Sequence, residues 1–247
     1  MIRVIVNGAS GRMGKAIIRI AEETGKIRVT HKVDVVQGYE NIDEIPLNSA
    51  DAIIDVSSPE GFGKALRWAV KNKVPFISGA TGLEISDLVG LDSASAQIPV
   101  LHTSNLSKGV NILFEILKKA AALTTDADVE IIEMHHNKKK DAPSGTALEL
   151  GKIISSEQST RKLKPVEGRS GSKCERASNE IGYHSIRCGD VPGEHTIIFG
   201  LQGERIEITH RALTRDIFAT GAIEAAIFLA GKKPGKYSMK DVIGSKS

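Results

Sequence analysis

Short β-branched segments alternate with helical patterns through residues 1–107, and this alternation limits the fold more than any other feature of the sequence. "RVIVN" opens the series and precedes the helical "KAIIRIAEETG"; the later strand patterns are "IRVTHKVD", "ADAIIDVSS", "VPFISGATG" and "IPVLHTSN". Strands that alternate with helices form parallel β-α-β units. The sequence therefore predicts an α/β protein whose first part is a doubly wound parallel sheet.

The pattern changes in residues 108–215. An amphipathic helix, "GVNILFEILKKAAALT", precedes a strand, "DVEIIEMHH", and a second helix, "GTALELGKIISS". The polar residues 159–180 indicate a loop, and three strands follow it, "IGYHSIRC", "HTIIFGL" and "RIEITHRAL", the last two joined by a turn at "QGE". We expect a second, α+β domain with a mixed or antiparallel sheet. Residues 216–247, which begin with the helical "DIFATGAIEAAIFLAG", are expected to rejoin the first domain.

The composition bears on partners and on compartment. The chain of 247 residues has 40% hydrophobic and 26% charged residues, as globular proteins do, and a formal net charge of +3. We expect no nucleic-acid partner because the basic residues are spread, and no membrane partner because no apolar run approaches the ~20 residues of a spanning helix. Two cysteines without metal-ligand spacing, and the start "MIRVIVNGAS" without a signal pattern, predict a soluble cytoplasmic protein.

Three glycines, Gly8, Gly11 and Gly14, stand between the first strand and the first helix with the spacing G-x-x-G-x-x-G. Glycines at this place let a pyrophosphate approach backbone N–H groups at the positive end of a helix. Asp34 lies 20 residues after Gly14, where dinucleotide-binding proteins place the acid that binds a ribose. The combination favours a Rossmann-like dinucleotide site over a tight turn that binds nothing.

Residues beside the predicted ribose site bear on the choice of cofactor. The Asp34 carboxylate can accept hydrogen bonds from a ribose 2′-hydroxyl and repels a 2′-phosphate, which favours NADH. Arg12, within the glycine turn, can pair with a 2′-phosphate and so favours NADPH, whereas Val35 supplies no second cation. The sequence predicts NADH as the preferred cofactor, with NADPH tolerated.

A basic turn, "MHHNKKKDAPSGTA", follows the first strand of the second domain. His135 and His136 are adjacent, so a strand would point them in opposite directions, and three lysines follow at 138–140. The helix that starts at "PSGT" presents the N–H groups of Gly145 and Thr146, which can bind a carboxylate. These groups together predict a site that binds and protonates a dicarboxylate. Surface histidines in a solvated charge run remain the alternative. No metal is expected, because adjacent histidines lack the spacing of a helical zinc site and a third ligand is not evident.

The stretch "EIIEMHHNKKKDAPSGTA", residues 130–147, fills every fixed position of the pattern E-x-x-E-x-H-H-x-x-K-x-D-x-P-S-G-T-A. Further segments with family counterparts are "GASGRMG", "IDVSSPEG", "GATG", "SNLSKGVN" and "THRALTRDIFATGA". Through these segments nearly the whole chain resembles the dihydrodipicolinate reductase family, the 4-hydroxy-tetrahydrodipicolinate reductases of diaminopimelate and lysine biosynthesis.

The resemblance implies hydride transfer from NADH or NADPH to a cyclic imine dicarboxylate. It implies a dinucleotide-binding domain at 1–107 plus 216–247, and a substrate-binding and oligomerisation domain at 108–215 whose sheets build a homotetramer. His135 matches the family's proton donor and acceptor, and Lys139 matches its proton donor. The substrate-contacting positions are His136, Gly145 and Thr146. The cofactor-contacting positions are Gly8, Ala9, Ser10, Gly11, Arg12, Met13, Asp34, Gly79, Ala80, Thr81, Thr103, Ser104, Asn105 and Leu106.

Three positions depart from the family's frequent pattern. Ala80 replaces a threonine, Leu106 replaces an aromatic residue, and Val35 replaces a basic residue, which again favours NADH. Two other functions stay open: a nicotinamide-dependent dehydrogenase that acts on another small dicarboxylate, and a non-catalytic sensor of NAD(H). His135 and Lys139 argue against the sensor, because a sensor needs no proton donor.

Overall fold

The computed structural model describes residues 1–245 of the chain; residues 246 and 247, which the domain prediction includes, lie outside the described part. The chain divides into two compact units, residues 1–108 together with the segment from Asp216 onward, and Gly109–Arg215. Within the described residues, unit 1 holds a six-stranded sheet and unit 2 a five-stranded sheet. In the same residues no helix has the length and the apolar composition that crossing a bilayer requires. The roles predicted for the two units stay predictions.

Unit 1 is the predicted doubly wound parallel sheet. Its strands, numbered along the whole chain, are β1 (Ile2–Asn7), β2 (Ile27–Val33), β3 (Ala52–Asp55), β4 (Phe76–Ser78), β5 (Pro99–His102) and β11 (Gly235–Tyr237). They lie in the order β11-β5-β4-β3-β1-β2 with every pair parallel. Its helices are α1 (Arg12–Thr24), α2 (Pro59–Asn72), α3 (Ile85–Ser95), α6 (Asp216–Leu229) and α7 (Met239–Gly244). Because the strand order reverses beside β1, the carboxyl ends of β1 and β3 form the edge where such sheets bind ligands.

Helices cover both faces of this sheet. On one face α1 and α6 pack on the strands, with Ile17 and Ala222 fully buried, and on the other α2 contributes the fully buried Phe62. Burying each large apolar side chain stabilises the fold by roughly 1.5–3 kcal/mol. Helix α1 ends where predicted, because Gly25 adopts a left-handed conformation with φ +61°.

Unit 2 is a mixed sheet with helices on one face. Its strands are β6 (Asp128–His135), β7 (Lys164–Glu167), β8 (Glu180–Arg187), β9 (Gly193–Leu201) and β10 (Glu204–Ala212), and its helices are α4 (Lys108–Leu123) and α5 (Gly145–Glu157). The order is β10-β9-β6-β8-β7, in which β9 runs antiparallel to β6 and β10, whereas β6, β7 and β8 are parallel. Alternate residues such as Ile131 and Phe199 are buried together with Leu117 of α4. The mixed sheet and the "QGE" hairpin are confirmed.

The prediction of a loop over residues 159–180 is wrong in part. A 3-10 turn occupies Ser159–Arg161, and β7 pairs with β8 at the edge of the sheet. Pro165 lies within β7 and obscures it in the sequence, because proline is tolerated in a strand only at an edge. The remainder of the segment is tied to β6, since the guanidinium groups of Arg169 and Arg176 both bond to Glu130. Strand β11 and helix α7 are too short for their patterns to predict them.

Candidate active site

The glycine turn follows β1 and leads directly into α1. Gly8 has φ +85°, and a Cβ atom there would lie 2.7 Å from the carbonyl carbon of Val56. A Cβ atom on Gly14 would overlap the carbonyl oxygen of Gly8. Gly11 is the N-cap residue of α1, so no capping side chain occupies the start of the helix. The first turn of the helix carries no acidic residue. The turn thus keeps the positive end of α1 open to an anion, which fits the pyrophosphate of a dinucleotide.

Asp34 lies immediately after β2 and braces this turn. One carboxylate oxygen accepts a hydrogen bond from the N–H of Ser10 at 2.9 Å, and the other accepts one from the N–H of Val35 at 2.8 Å. Burial alone would raise the pKa of Asp34, but hydrogen bonds from Ser10 and Val35 outweigh burial and hold the pKa below its ordinary value. Asp34 and Val35 line a cavity of about 240 Å³ together with Gly8 and Gly11. The carboxylate is therefore ionised at neutral pH, at the place predicted for the ribose.

A second cavity, of about 450 Å³, shares Asp34 and Val35 with the first. Lys64 of α2 lines this cavity, and its ammonium lies 3.0 Å from the carboxylate of Glu60, which lines it too. Sequence reasoning missed Lys64, because α2 follows β3 and its position beside Asp34 depends on the strand order. Arg12, the cation that the sequence did suggest, is exposed at the start of α1.

All the predicted cofactor residues follow the carboxyl ends of parallel strands. Residues 8–13 follow β1, Asp34 follows β2, residues 79–81 follow β4 and residues 103–106 follow β5. Leu106 is buried, and its side chain lies so close to Gly79 that a Cβ atom there would come within 2.7 Å. The leucine that replaces an aromatic residue therefore packs in the core of unit 1.

In unit 2, β6 ends at His135, and its ring is buried against a carboxylate. His135 Nδ1 lies 2.5 Å from Oε2 of Glu133, a residue on the same face of the strand two positions earlier. The sheet register places Arg187 of β8 opposite His135, and His195 of β9 opposite Glu133. The rings of His135 and His195 meet edge to face at 5.2 Å.

Glu133 is the centre of this cluster, with 1% of its side chain exposed. Arg187 donates two hydrogen bonds to it, at 2.9 Å and 2.7 Å, and the N–H of Ser144 donates a third at 3.2 Å. Burial alone would raise the pKa of Glu133, but hydrogen bonds from His135 and Arg187 outweigh burial and hold the pKa well below its usual range. Glu133 is therefore a buried, ionised carboxylate at neutral pH.

His195 is neutral at physiological pH, because burial lowers its pKa to about 3. Its Nε2 lies 3.0 Å from the hydroxyl oxygen of Ser144, which accepts a hydrogen bond from the N–H of Ala147 and caps α5. The ring thus joins β9 to the helix N-terminus at which the sequence predicts carboxylate binding. Gly145 and Thr146 are the first two residues of α5, and His136 is half-buried just beyond β6.

The three lysines of the basic turn differ in their surroundings. Lys138 and Lys140 are exposed, whereas 18% of the Lys139 side chain is exposed and its ammonium lies 2.8 Å from both carboxylate oxygens of Asp141. The hydrogen bond from Lys139 is the main cause that lowers the pKa of Asp141. The Asp141 carbonyl accepts a hydrogen bond from Arg187 at 2.7 Å, which connects this turn to the Glu133 cluster.

The sequence prediction assigned no role to four residues of this cluster, Glu133, Asp141, Arg187 and His195, although Glu133 and Asp141 fill fixed positions of the signature pattern. Glu133 was available from the sequence, because residues i and i+2 of a strand share a face. Arg187 and His195 lie on distant strands, and only the register brings them to β6. Among the described residues no group of three or more His, Cys, Asp and Glu side chains is arranged to hold a metal ion.

Comparison with known proteins gives a consistent result over the whole chain. Models described as the N-terminus and the C-terminus of dihydrodipicolinate reductase match residues 2–106 and 109–243. The 4-hydroxy-tetrahydrodipicolinate reductases of Syntrophotalea carbinolica and Clostridium novyi are each 41% identical, over 100% of both chains. A dipicolinate-bound dihydrodipicolinate reductase from Paenisporosarcina sp. TG-14 has the same fold, with a TM-score of 0.76 and 21% identity over 98% of this chain and 99% of that one.

The parallel sheet, the glycine turn and these matches define the class as NAD(P)H-dependent oxidoreductases. Within that class, the chain belongs to the dihydrodipicolinate reductase family. The resemblance stated from the sequence is confirmed.

Proposed function

We propose that this chain catalyses the NAD(P)H-dependent reduction of 4-hydroxy-tetrahydrodipicolinate to tetrahydrodipicolinate, a step of diaminopimelate and lysine biosynthesis. Full-length relatives at 41% identity are named for that activity. The observation that carries the proposal in this structure is a buried imidazole held by an ionised carboxylate, His135 on Glu133, close in sequence to the paired Lys139. Such a cluster suits a reaction that must move a proton.

The proton chemistry follows from the reduction. The nicotinamide supplies a hydride when it is bound, and the atom of the substrate that becomes electron-rich must then take up a proton. We assign the donation to Lys139 and His135, whose ammonium and imidazolium can deliver a proton from a fixed position. Positioned general acids contribute about 10²–10⁴-fold to the rate.

Binding of the substrate carboxylates is assigned to the start of α5 and to His136. Gly145 and Thr146 occupy the first turn of α5, the end of a helix that suits an anion, and Ser144 orients that turn because its hydroxyl oxygen accepts a hydrogen bond from the N–H of Ala147. The positive charge of Lys139 adds to the attraction for a dicarboxylate.

The preceding synthase of the pathway offers the direct test. It generates the unstable cyclic substrate in situ, while the consumption of NADH and of NADPH is followed separately. We expect oxidation of the cofactor that depends on the synthase. Turnover of aspartate or homoserine-type substrates instead would favour the dehydrogenase alternative, and cofactor binding without any oxidation would favour the sensor.

NADH is proposed as the preferred cofactor, with Asp34 as the discriminating residue. Asp34→Ala should shift the ratio of the NADPH and NADH dissociation constants toward NADPH by about tenfold, the effect of one lost charge-assisted hydrogen bond. Both constants should rise, because Asp34 also holds the N–H of Ser10, so the ratio is the quantity to compare. Fluorescence titration measures both constants without turnover.

The matched control is Asp43→Ala, which removes an exposed acid in the 3-10 turn at Ile42–Glu44. It should leave the ratio of dissociation constants unchanged. An unchanged ratio in Asp34→Ala would remove Asp34 from the ribose contact and would leave Lys64 and Arg12 to account for any preference.

A homotetramer in the cytoplasm completes the proposal. The face of the unit 2 sheet opposite α4 and α5 carries the half-exposed Ile132 and Ile198 and the 40% exposed Ile186, which suits association through that sheet. Light scattering would give the mass of the assembly. The free thiols Cys174 and Cys188 suit a reducing compartment.

A further inference from the structure

One partly buried guanidinium connects the two groups that the proposed reaction needs as acids. Arg187 bonds to both carboxylate oxygens of Glu133, which holds His135, and to the carbonyl oxygen of Asp141, whose side chain holds Lys139. We infer that Glu133 and Arg187 are positioning residues: Glu133 fixes the tautomer of His135, and Arg187 fixes Glu133 and the turn that carries Lys139. The effect of this arrangement on catalysis rests on the proposed function, whereas the assignment of the His135 tautomer does not.

The tautomer follows from the donors and acceptors around Glu133. An ionised carboxylate can only accept hydrogen bonds, so the proton between Glu133 and His135 belongs to Nδ1 of the ring. The neutral imidazole therefore keeps its lone pair on Nε2, which is the nitrogen left to exchange a proton with a substrate. Gly193 lies beside that nitrogen, and a Cβ atom there would come within 2.9 Å of it. A larger residue at this position would crowd Nε2, and glycine avoids that contact.

The shape of the arginine side chain explains its place in the cluster. Its planar fork bonds to two carboxylate oxygens and a carbonyl at once, which an ammonium group on a flexible stem does not reproduce. The register pairs Arg187 with His135 on the neighbouring strand, so the fork reaches Glu133 from the adjacent position. A partly buried ion pair that served stability alone would need neither the tautomer nor the bond to Asp141.

The same strand supplies a matched control. Glu130 of β6 also accepts hydrogen bonds from a histidine, His184, and from an arginine, Arg169, but on the opposite face of the sheet. The side chains of Arg169 and Arg187 are each 20% exposed. Substitutions in this second cluster therefore remove a similar ion pair without touching His135 or Lys139.

The experiment reads the ring of His135 directly in the full-length protein. Long-range ¹H–¹⁵N correlation spectra of protein labelled at histidine distinguish the two neutral tautomers, and comparison with His135→Gln assigns the signal. At alkaline pH we expect a proton on Nδ1 in the wild type. In Glu133→Gln the amide can turn its NH₂ group toward Nδ1, so the other tautomer should become populated, as when the aspartate of a serine-protease triad is replaced by asparagine. Glu130→Gln should leave the His135 signal unchanged.

Steady-state kinetics test whether the way in which Glu133 and Arg187 hold His135 and Lys139 affects turnover. Glu133→Gln should lower kcat by about 10–100-fold, the loss that removal of the orienting partner causes for a metal-bound histidine, with little change in KM or in the dissociation constant for NADH. Arg187→Lys keeps the charge beside Glu133 but loses the fork. It should preserve the tautomer and lower kcat, whereas Arg169→Lys should leave kcat unchanged. If Glu133→Gln does not fold, the comparison of kcat between Arg187→Lys and Arg169→Lys decides whether Arg187 is a positioning residue.

An unchanged tautomer in Glu133→Gln, or wild-type kcat in both Glu133→Gln and Arg187→Lys, would overturn the inference. Failure of the proposed function gives a different result: the wild type would not oxidise either cofactor with the cyclic substrate. The tautomer measurement uses no substrate, so it stands in either case.

Discussion

Lys139→Ala should lower kcat by about 10²–10⁴-fold while the dissociation constant for NADH changes little. The expected loss is that of a positioned general acid. The side chain is mostly buried and its ammonium is held by Asp141 at 2.8 Å, so the proton stands in a defined place. Asp141 is 61% exposed, and water can solvate its carboxylate when the lysine is gone. The fold should therefore survive, and steady-state rates together with a fluorescence titration of NADH measure the effect.

The neighbouring lysines are the controls for this prediction. Lys138→Ala and Lys140→Ala remove the same charge from the same turn, but both side chains are exposed. If attraction of a dicarboxylate by net charge were the whole effect, all three variants would raise KM alike and leave kcat alone. A Lys139→Ala enzyme with full kcat would end the assignment of this residue as a proton donor.

The fold of unit 1 could be predicted because its signals are local. β-Branched runs, helical spacing and the glycine turn act within a few residues, and they place Gly8, Asp34 and the residues after β4 and β5 correctly relative to their strands. The order of the strands is not local. Lys64 reaches the cavity beside Asp34 because β3 pairs with β1, and a prediction that considered only Arg12 of the glycine turn and Val35 after Asp34 overlooked it.

In unit 2, too, local sequence signals do not predict which strands are neighbours. His135 and Lys139 stand out in the sequence because basic residues crowd one turn, whereas their partners come from elsewhere. Arg187 and His195 are unremarkable in sequence and acquire their roles from the register of β8 and β9 against β6. Glu133 is the intermediate case, since strand alternation alone places it on the face of His135. Assigning the residues of β6 to the two faces of the sheet would have identified Glu133 from the sequence.

The two glutamates of β6, Glu130 and Glu133, lie on opposite faces of the sheet and bind different partners. Glu130 ties Arg169 and Arg176 of the segment between β7 and β8 to one face, while Glu133 serves the buried cluster on the other. Both residues stand at fixed positions of the signature pattern, where the sequence shows two similar acids. The period of the strand separates them, because an odd spacing of three residues places them on different faces.

His135→Ala should lower kcat by about 10²–10⁴-fold, again with little change in NADH binding, because His135 lies in unit 2 and the glycine turn in unit 1. After the substitution Glu133 keeps the two hydrogen bonds from Arg187 and the one from the N–H of Ser144, so its buried charge stays paired. Loss of the ring leaves space beside His195, and we expect a modest fall in the melting temperature.

His184→Ala is the control for His135→Ala, because it removes another histidine that lies 2.7 Å from a glutamate of β6. It should cost some stability and leave kcat near the wild-type value. Measuring kcat, the NADH dissociation constant and the melting temperature for both variants separates catalysis from folding. Full turnover in His135→Ala would show that its assigned proton transfer is wrong. Parallel losses of kcat and NADH binding would show that the substitution disturbs more than proton transfer, and His135→Gln, which can keep a hydrogen bond to Glu133, would then replace it.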